Sequence, residues 1–263
     1  MDKASVGGVL LGLAGVIGGL LLEGGTVSQI LQPTAAMIVF GGTAGAVLVQ
    51  FPLGVVWTAV GRLAAIFSEP QTGLETVIDR LVNYANIARS RGIASLDDEL
   101  SEVQDPFMKK VLTLAVDGTE PQELRKIAEL ELDNELEREE RFPQVFESAG
   151  GFSPTVGIIG AVLGLIQVMQ HLDRLDEVGR GIAVAFVATI YGVGAANLLL
   201  LPVAGKMRIR LREEQAQKEM VLEGVISILG GMNPRMLRNS LRSFVGEPVT
   251  EREEISIARA AGA

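Results

Sequence analysis

The chain has no cysteine, a single histidine and, over four long stretches, no charged residue of either sign. Each absence excludes something. Without thiols there is no disulfide framework, no cysteine nucleophile and no cysteine-held metal, which fits a reducing compartment. His171 stands alone, and no carboxylate pair lies near a glycine-rich loop. A metal centre or nucleophile–base pair therefore has no candidate, and neither enzymatic activity nor a bound cofactor is expected. The net charge of −9 carries no clustered basic face of the kind that binds nucleic acid.

What is present is blocked rather than mixed. The uncharged stretches run Ser5–Leu22, Thr34–Gln50, Pro154–Gln170 and Gly181–Ala204. Each is close to the roughly 20 residues that a helix needs to cross a bilayer core of about 30 Å. They come as two pairs around a charged insert, which divides the chain into four parts. Residues 1–67 form a first transmembrane hairpin, 68–150 a cytoplasmic helical region, 151–204 a second hairpin and 205–263 a cytoplasmic helical tail. The expected fold is an all-α integral membrane protein with four spans. Gly7–Leu22 is not read as a signal peptide: only Lys3 precedes it among basic residues, glycines interrupt it, and no A-x-A site stands before Glu23.

Lysine and arginine placement sets the orientation. The connection Glu23–Pro33 has neither, and His171–Arg180 has only Arg174 and Arg180. The insert holds nine of the 23 and the tail ten, with Arg62, Lys206, Arg208, Arg210 and Arg212 closest to the spans. Both termini and both long polar regions are therefore expected in the cytoplasm, and His171 at the outer membrane interface.

The polar regions read as helices. Apolar residues recur at three- and four-residue spacing through Leu74–Ala88 until Gly92. A second helix is expected over Pro106–Val116, stopped by Gly118. A third follows from Pro121, where a first-turn proline belongs, through Phe142. Lys206–Leu229 extends the fourth span, Gly230 and Gly231 end it, and Pro234–Val245 forms a short amphipathic helix.

Within the spans, small residues form stripes: Gly8, Gly12, Gly15 and Gly19; Gly157, Gly160, Ala161 and Gly164; Ala185, Ala188, Thr189, Gly192, Ala195 and Ala196. In lipid such stripes let helices approach closely. The first is expected to pack within the chain. The last two exceed what one antiparallel pair needs and are expected to face an oligomer axis or a partner's helix. No ionisable residue lies inside any span, so an ion pathway here would need a carboxylate from a partner. Pro154 and Pro202 are read as helix terminators, with a hinge role as the alternative.

Five segments together resemble the MotA/PomA family of flagellar stator membrane subunits. They are Phe40–Gly45, Phe152–Leu165, Ala183–Gly192, Leu201–Ala204 and Gly230–Arg235. The resemblance implies a homo-oligomeric ring around a MotB/PomB-type single-span partner in the bacterial inner membrane, with that partner supplying an ion-carrying aspartate. Ion flow would turn the ring and push the rotor protein FliG. It also implies that Pro154 and Pro202 are the coupling prolines and that Arg89 and Asp97 contact the rotor. Asp97 stands where the family usually has glutamate, and Arg91 and Asp98 are alternatives for the basic and acidic roles. The ion pathway would pass Thr189 and Ala161. Sodium-driven relatives carry threonine at the Ala161 position, and a methyl group offers a sodium ion no oxygen, so the transported ion is expected to be H+. The alternative is an ExbB/TolQ-like proton-channel energy transducer, which has three spans and its long cytoplasmic region after the first.

Overall fold

The computed structural model describes residues 3–66 and 73–245. Among these every regular element is helical, and four helices are long and apolar enough to cross a membrane. By contacts the chain falls into two units, residues 1–69 with 139–210 and residues 70–138 with 211–263.

The first unit holds the four spans. The first span helix is Lys3–Leu22 and the second runs Pro33–Gln50. The third occupies the later part of a continuous helix, Pro121–Gln170, and the fourth lies at the start of the helix Leu175–Leu229. After the second span Pro52 restarts the chain as a short helix, Leu53–Gly61. Its Ala59 shares a core cluster with Val47, Val145, Phe146, Ala149 and Ala204. A second cluster joins Ala35 and Val39 of the second span to Val187 and Ala188 of the fourth.

Neither Pro154 nor Pro202 terminates its helix, which corrects that expectation. Pro154 lies inside Pro121–Gln170, and Pro202 is the second residue of the segment Leu201–Leu229. A proline inside a helix lacks an N–H, and its ring crowds the carbonyl four residues earlier. Immediately before Pro202 the helix widens into a π-helical segment, Ala196–Leu200, the kind of local loosening that lets a helix continue through such a fault. Another π segment, Met37–Gly41, interrupts the second span.

The second unit has an aliphatic core. Leu74–Arg91 buries Ile78 and Leu81, and Pro106–Val116 buries Met108, Val111 and Leu112. They share one cluster with Leu124, Met220, Val225, Leu237 and Leu241. Fully burying each such side chain contributes about 1.5–3 kcal/mol. The helix ends follow local chemistry. Asp105 Oδ1 accepts from the Met108 N–H at 2.7 Å, with Pro106 in the first turn. Gly118, at φ +82°, lets the chain leave this helix through the left-handed region that other residues resist.

Candidate functional site

The third and fourth spans meet along a seam with almost no side chain between them. A β-carbon on Gly192 would lie 2.6 Å from the Ser153 carbonyl oxygen and 3.3 Å from the Pro154 Cα. On Gly157 it would meet the Ala188 oxygen at 2.9 Å, on Gly160 the Ala188 Cβ at 2.7 Å, and on Gly164 the Gly181 oxygen at 2.7 Å. The glycines of the third-span stripe are thus spent on the fourth span, while Ala161, Thr189 and Ala195 of the two stripes stay only half-buried within the chain. Dispersion between closely apposed backbones holds the two spans together, because lipid offers no hydrophobic drive.

The first span shows the reverse. Gly8, Gly15 and Gly19 have open space where a β-carbon would stand, and Gly12 reaches only Leu198 Cδ2, at 3.4 Å. No residue of this helix is buried within the chain, so the expectation of intramolecular packing there fails. Periodicity shows which residues share a face but not which face finds a neighbour.

Ala161 and Thr189 each follow a member of the Gly160–Ala188 contact, so the seam brings them to the same level of the spans. Both are half-buried. The Thr189 hydroxyl donates to the Ala185 carbonyl at 3.2 Å, a back-bond to its own helix that leaves its oxygen lone pairs available. Ala161 brings no polar atom. Pro154 is half-buried against the seam and Pro202 is exposed. Ser153, immediately before Pro154, is fully buried.

Three features went unread in the sequence. Tyr191 donates to the Ile30 carbonyl at 2.5 Å and accepts from the Gln32 N–H at 3.3 Å. Its ring stacks on Phe40 at 5.8 Å between centroids. It therefore ties the fourth span to the connection between the first two, a tie that its place in the Ala183–Gly192 segment does not announce. Next, Arg62 pairs with Glu139 through both terminal guanidinium nitrogens while lying 4.2 Å over the Phe142 ring. Finally, Arg208 donates to Glu147 at 2.5 Å. That hydrogen bond, with the attraction of the same carboxylate, raises the Arg208 pKa above the ordinary arginine value. A raised folded-state value on a base stabilises the fold below the unfolded value and is lost only as pH rises through the folded one. The pair therefore stays intact across the physiological range.

The four rotor-facing candidates lie in the second unit. Arg89 and Arg91 occupy the last turn of Leu74–Arg91, which Gly92 ends at φ +89°. Two short 3₁₀ turns follow, Ile93–Leu96 and Asp98–Ser101. Leu96 is buried and pins the loop to the core, while Arg89, Arg91, Asp97 and Asp98 are all exposed. The structure thus gathers both basic and both acidic residues around one helix end. Elsewhere in this unit Arg125 donates to Glu223 at 2.5 Å beside Glu129. The Glu223 hydrogen bond is the main cause that raises its pKa above the ordinary value.

Family models match in two parts. Motility protein A N-terminal covers residues 6–92, and the MotA/TolQ/ExbB proton channel family covers residues 99–220. Motility protein A of Bacillus subtilis is 32% identical over 93% of this chain and 91% of its own. Chemotaxis protein PomA of Vibrio alginolyticus is 30% identical over 94% and 96%. Among solved structures, the flagellar MotAB stator complex from Bacillus subtilis matches with a TM-score of 0.87 at 32% identity, covering 97% of this chain and 99% of that one. The C. jejuni MotAB structure matches with a TM-score of 0.88 at 26% identity, covering 95% and 97%.

Proposed function

Because the chain belongs to the motility protein A family, we propose that it is the membrane subunit of an ion-driven flagellar stator and works in a homo-oligomeric ring around a MotB/PomB-type partner. The observation that carries this is the match along 97% of the chain to a flagellar MotAB stator complex. The protein sits in the bacterial inner membrane with both termini and the second unit in the cytoplasm, in keeping with the lysines and arginines beside the spans.

The division of labour follows from the residues. The spans contain no Asp, Glu, Lys, Arg or His, so the partner's single helix brings the aspartate that accepts the transported ion. The chain supplies an apolar wall with Ala161 and the Thr189 hydroxyl at one level. A sodium ion must replace its water with several oxygens, and this level offers one hydroxyl. A proton needs only the partner's carboxylate or a water chain to it, so H+ is the transported ion. Pro154 and Pro202 interrupt the hydrogen-bond ladder of two continuous helices and act as the hinges that pass movement from the channel to the cytoplasmic unit. Arg89, Arg91, Asp97 and Asp98 present paired signs to the rotor protein FliG, where exposed charges set register more than affinity. The four span-length helices and the match of the motility protein A N-terminal model to residues 6–92 favour this reading over an ExbB/TolQ-like transducer.

Reversing the rotor-facing charges separates the two halves of the function. Arg89→Glu combined with Asp97→Arg should abolish swimming, while proton flux through the complex with its partner stays at the unmodified level. Motility in soft agar and cytoplasmic pH read the two quantities independently. Loss of flux in the same variant would place these residues in the channel and contradict the assignment.

A further inference from the structure

The helix Leu53–Gly61 has nine residues and no charge. One face is spent on the protein: Ala59 is completely buried, and Val55 and Val56 pack against the cluster that includes Val47, Val145 and Phe146. The opposite face carries Leu53, Trp57 and Val60, at 69%, 78% and 47% exposure. Their spacing of four and three places them in one row along the helix. A single exposed apolar side chain needs no explanation. The helix's remaining exposed positions, Gly54, Thr58 and Gly61, bring a single hydroxyl, which donates back to the Gly54 carbonyl, and no charge.

What covers the row follows from where the helix stands. The second span ends at Gln50, and the helix begins after only Phe51 and Pro52. Val49, in the last turn of that span, is 90% exposed, and between it and the row Gln50 is the one polar residue. Beyond Gly61 comes Arg62, whose guanidinium is held by Glu139 and stacked on Phe142. The order is therefore span, proline turn, uncharged helix, then a fixed cation. Tryptophan is the side chain enriched at the level of lipid headgroups, where its ring is apolar and its N–H reaches water.

We propose that Leu53–Gly61 is a membrane-interface anchor, lying along the cytoplasmic surface of the bilayer with Leu53, Trp57 and Val60 inserted among the lipid headgroups. The occupant of this face is lipid, not a second copy of the chain. The proposal rests on the membrane placement of the spans but not on ion transport or rotor contact. Its partner is the zwitterionic and anionic phospholipid boundary itself, since the row carries no charge to select a headgroup. The Arg62 clamp joins the end of this anchor to the helix that carries the third span.

Trp57 is the chain's only tryptophan, which makes the test direct. The full chain with its partner is reconstituted into phosphatidylcholine–phosphatidylglycerol vesicles, and the identical complex carrying Trp57→Phe supplies the background from the partner's tryptophans. The difference emission is titrated with nitroxide-labelled lipids, shallow or deep in the acyl chain, and with aqueous iodide. Trp57 should be quenched about twofold more by the shallow label than by the deep one, with iodide largely ineffective, as a headgroup position requires. Strong iodide quenching without lipid quenching would put the row in water and overturn the proposal. Resistance to both would mean that protein covers it, as in a contact between copies, and would overturn it equally. Proton flux measured on the same vesicles distinguishes failure of this inference from failure of the stator reading.

Discussion

Gly192→Val should be the most damaging single change in the membrane unit. Even one methyl at this position meets backbone that has no side chain to rotate away: the Ser153 oxygen at 2.6 Å, the Gly157 Cα at 3.0 Å and the Pro154 Cα at 3.3 Å. Valine adds two more methyls in the restricted rotamers a helix allows. Overpacking of this kind typically costs about 1–3 kcal/mol, and relief is available only by parting the third and fourth spans. That movement displaces Ala161 and Thr189 together, so motility should be lost along with thermal stability in detergent. Gly192→Ala should fall between. Gly45→Ala, where nothing lies within 4 Å of the added carbon, should be neutral in both assays. A Gly192→Val protein that swims and melts normally would show that the seam is looser than these distances.

The second large effect belongs to the cytoplasmic unit. Leu81 is completely buried, and a β-carbon on Gly224 would lie 2.8 Å from its Cδ1. Leu81→Ala removes the atoms that fill this space and should destabilise the unit by about 2–5 kcal/mol, a large share of the roughly 5–15 kcal/mol that holds a domain folded. Gly224→Ala alone should be mildly destabilising, because it presses on the end of a flexible side chain. In the Leu81→Ala background the same alanine enters vacated space, so the double variant should be more stable than the sum of the single effects. Thermal unfolding by circular dichroism, with limited proteolysis of the cytoplasmic unit, reads this directly. Strict additivity would mean that the two residues do not share the space.

Local chemistry was the most legible part of the sequence. Gly92, Gly118, Pro106, Pro121 and Pro234 mark helix ends where the structure has them, because backbone freedom and a missing N–H act on the chain without help from tertiary contacts. Pro154 and Pro202 carry the same signal and misled, since a long helix can continue through one missing bond, at Pro202 with a π-helical segment just ahead of it. The stripes of the spans were read in the correct residues, but the first was assigned a neighbour within the chain that the structure does not give it. Gly157, Gly160 and Gly164 find the fourth span, while the glycines of Lys3–Leu22 are left open. Leu53–Gly61 escaped notice because it is too short to span and too uncharged to show a polar face. Among the site residues, Ala161 and Thr189 could be named from the family motif, but their common level required the Gly160–Ala188 contact. Tyr191 was invisible because its partners, Ile30 and Gln32, lie far away in sequence.

We propose that this chain forms the wall of a proton channel whose carboxylate belongs to another protein. The most direct measurement is cytoplasmic pH in cells that express the chain with its MotB/PomB-type partner. Acidification that disappears when the partner's membrane aspartate is changed to asparagine, and that ignores external sodium, is the expected result. A sodium-dependent current without acidification would contradict the argument from Ala161, and flux that survives the aspartate change would contradict the claim itself.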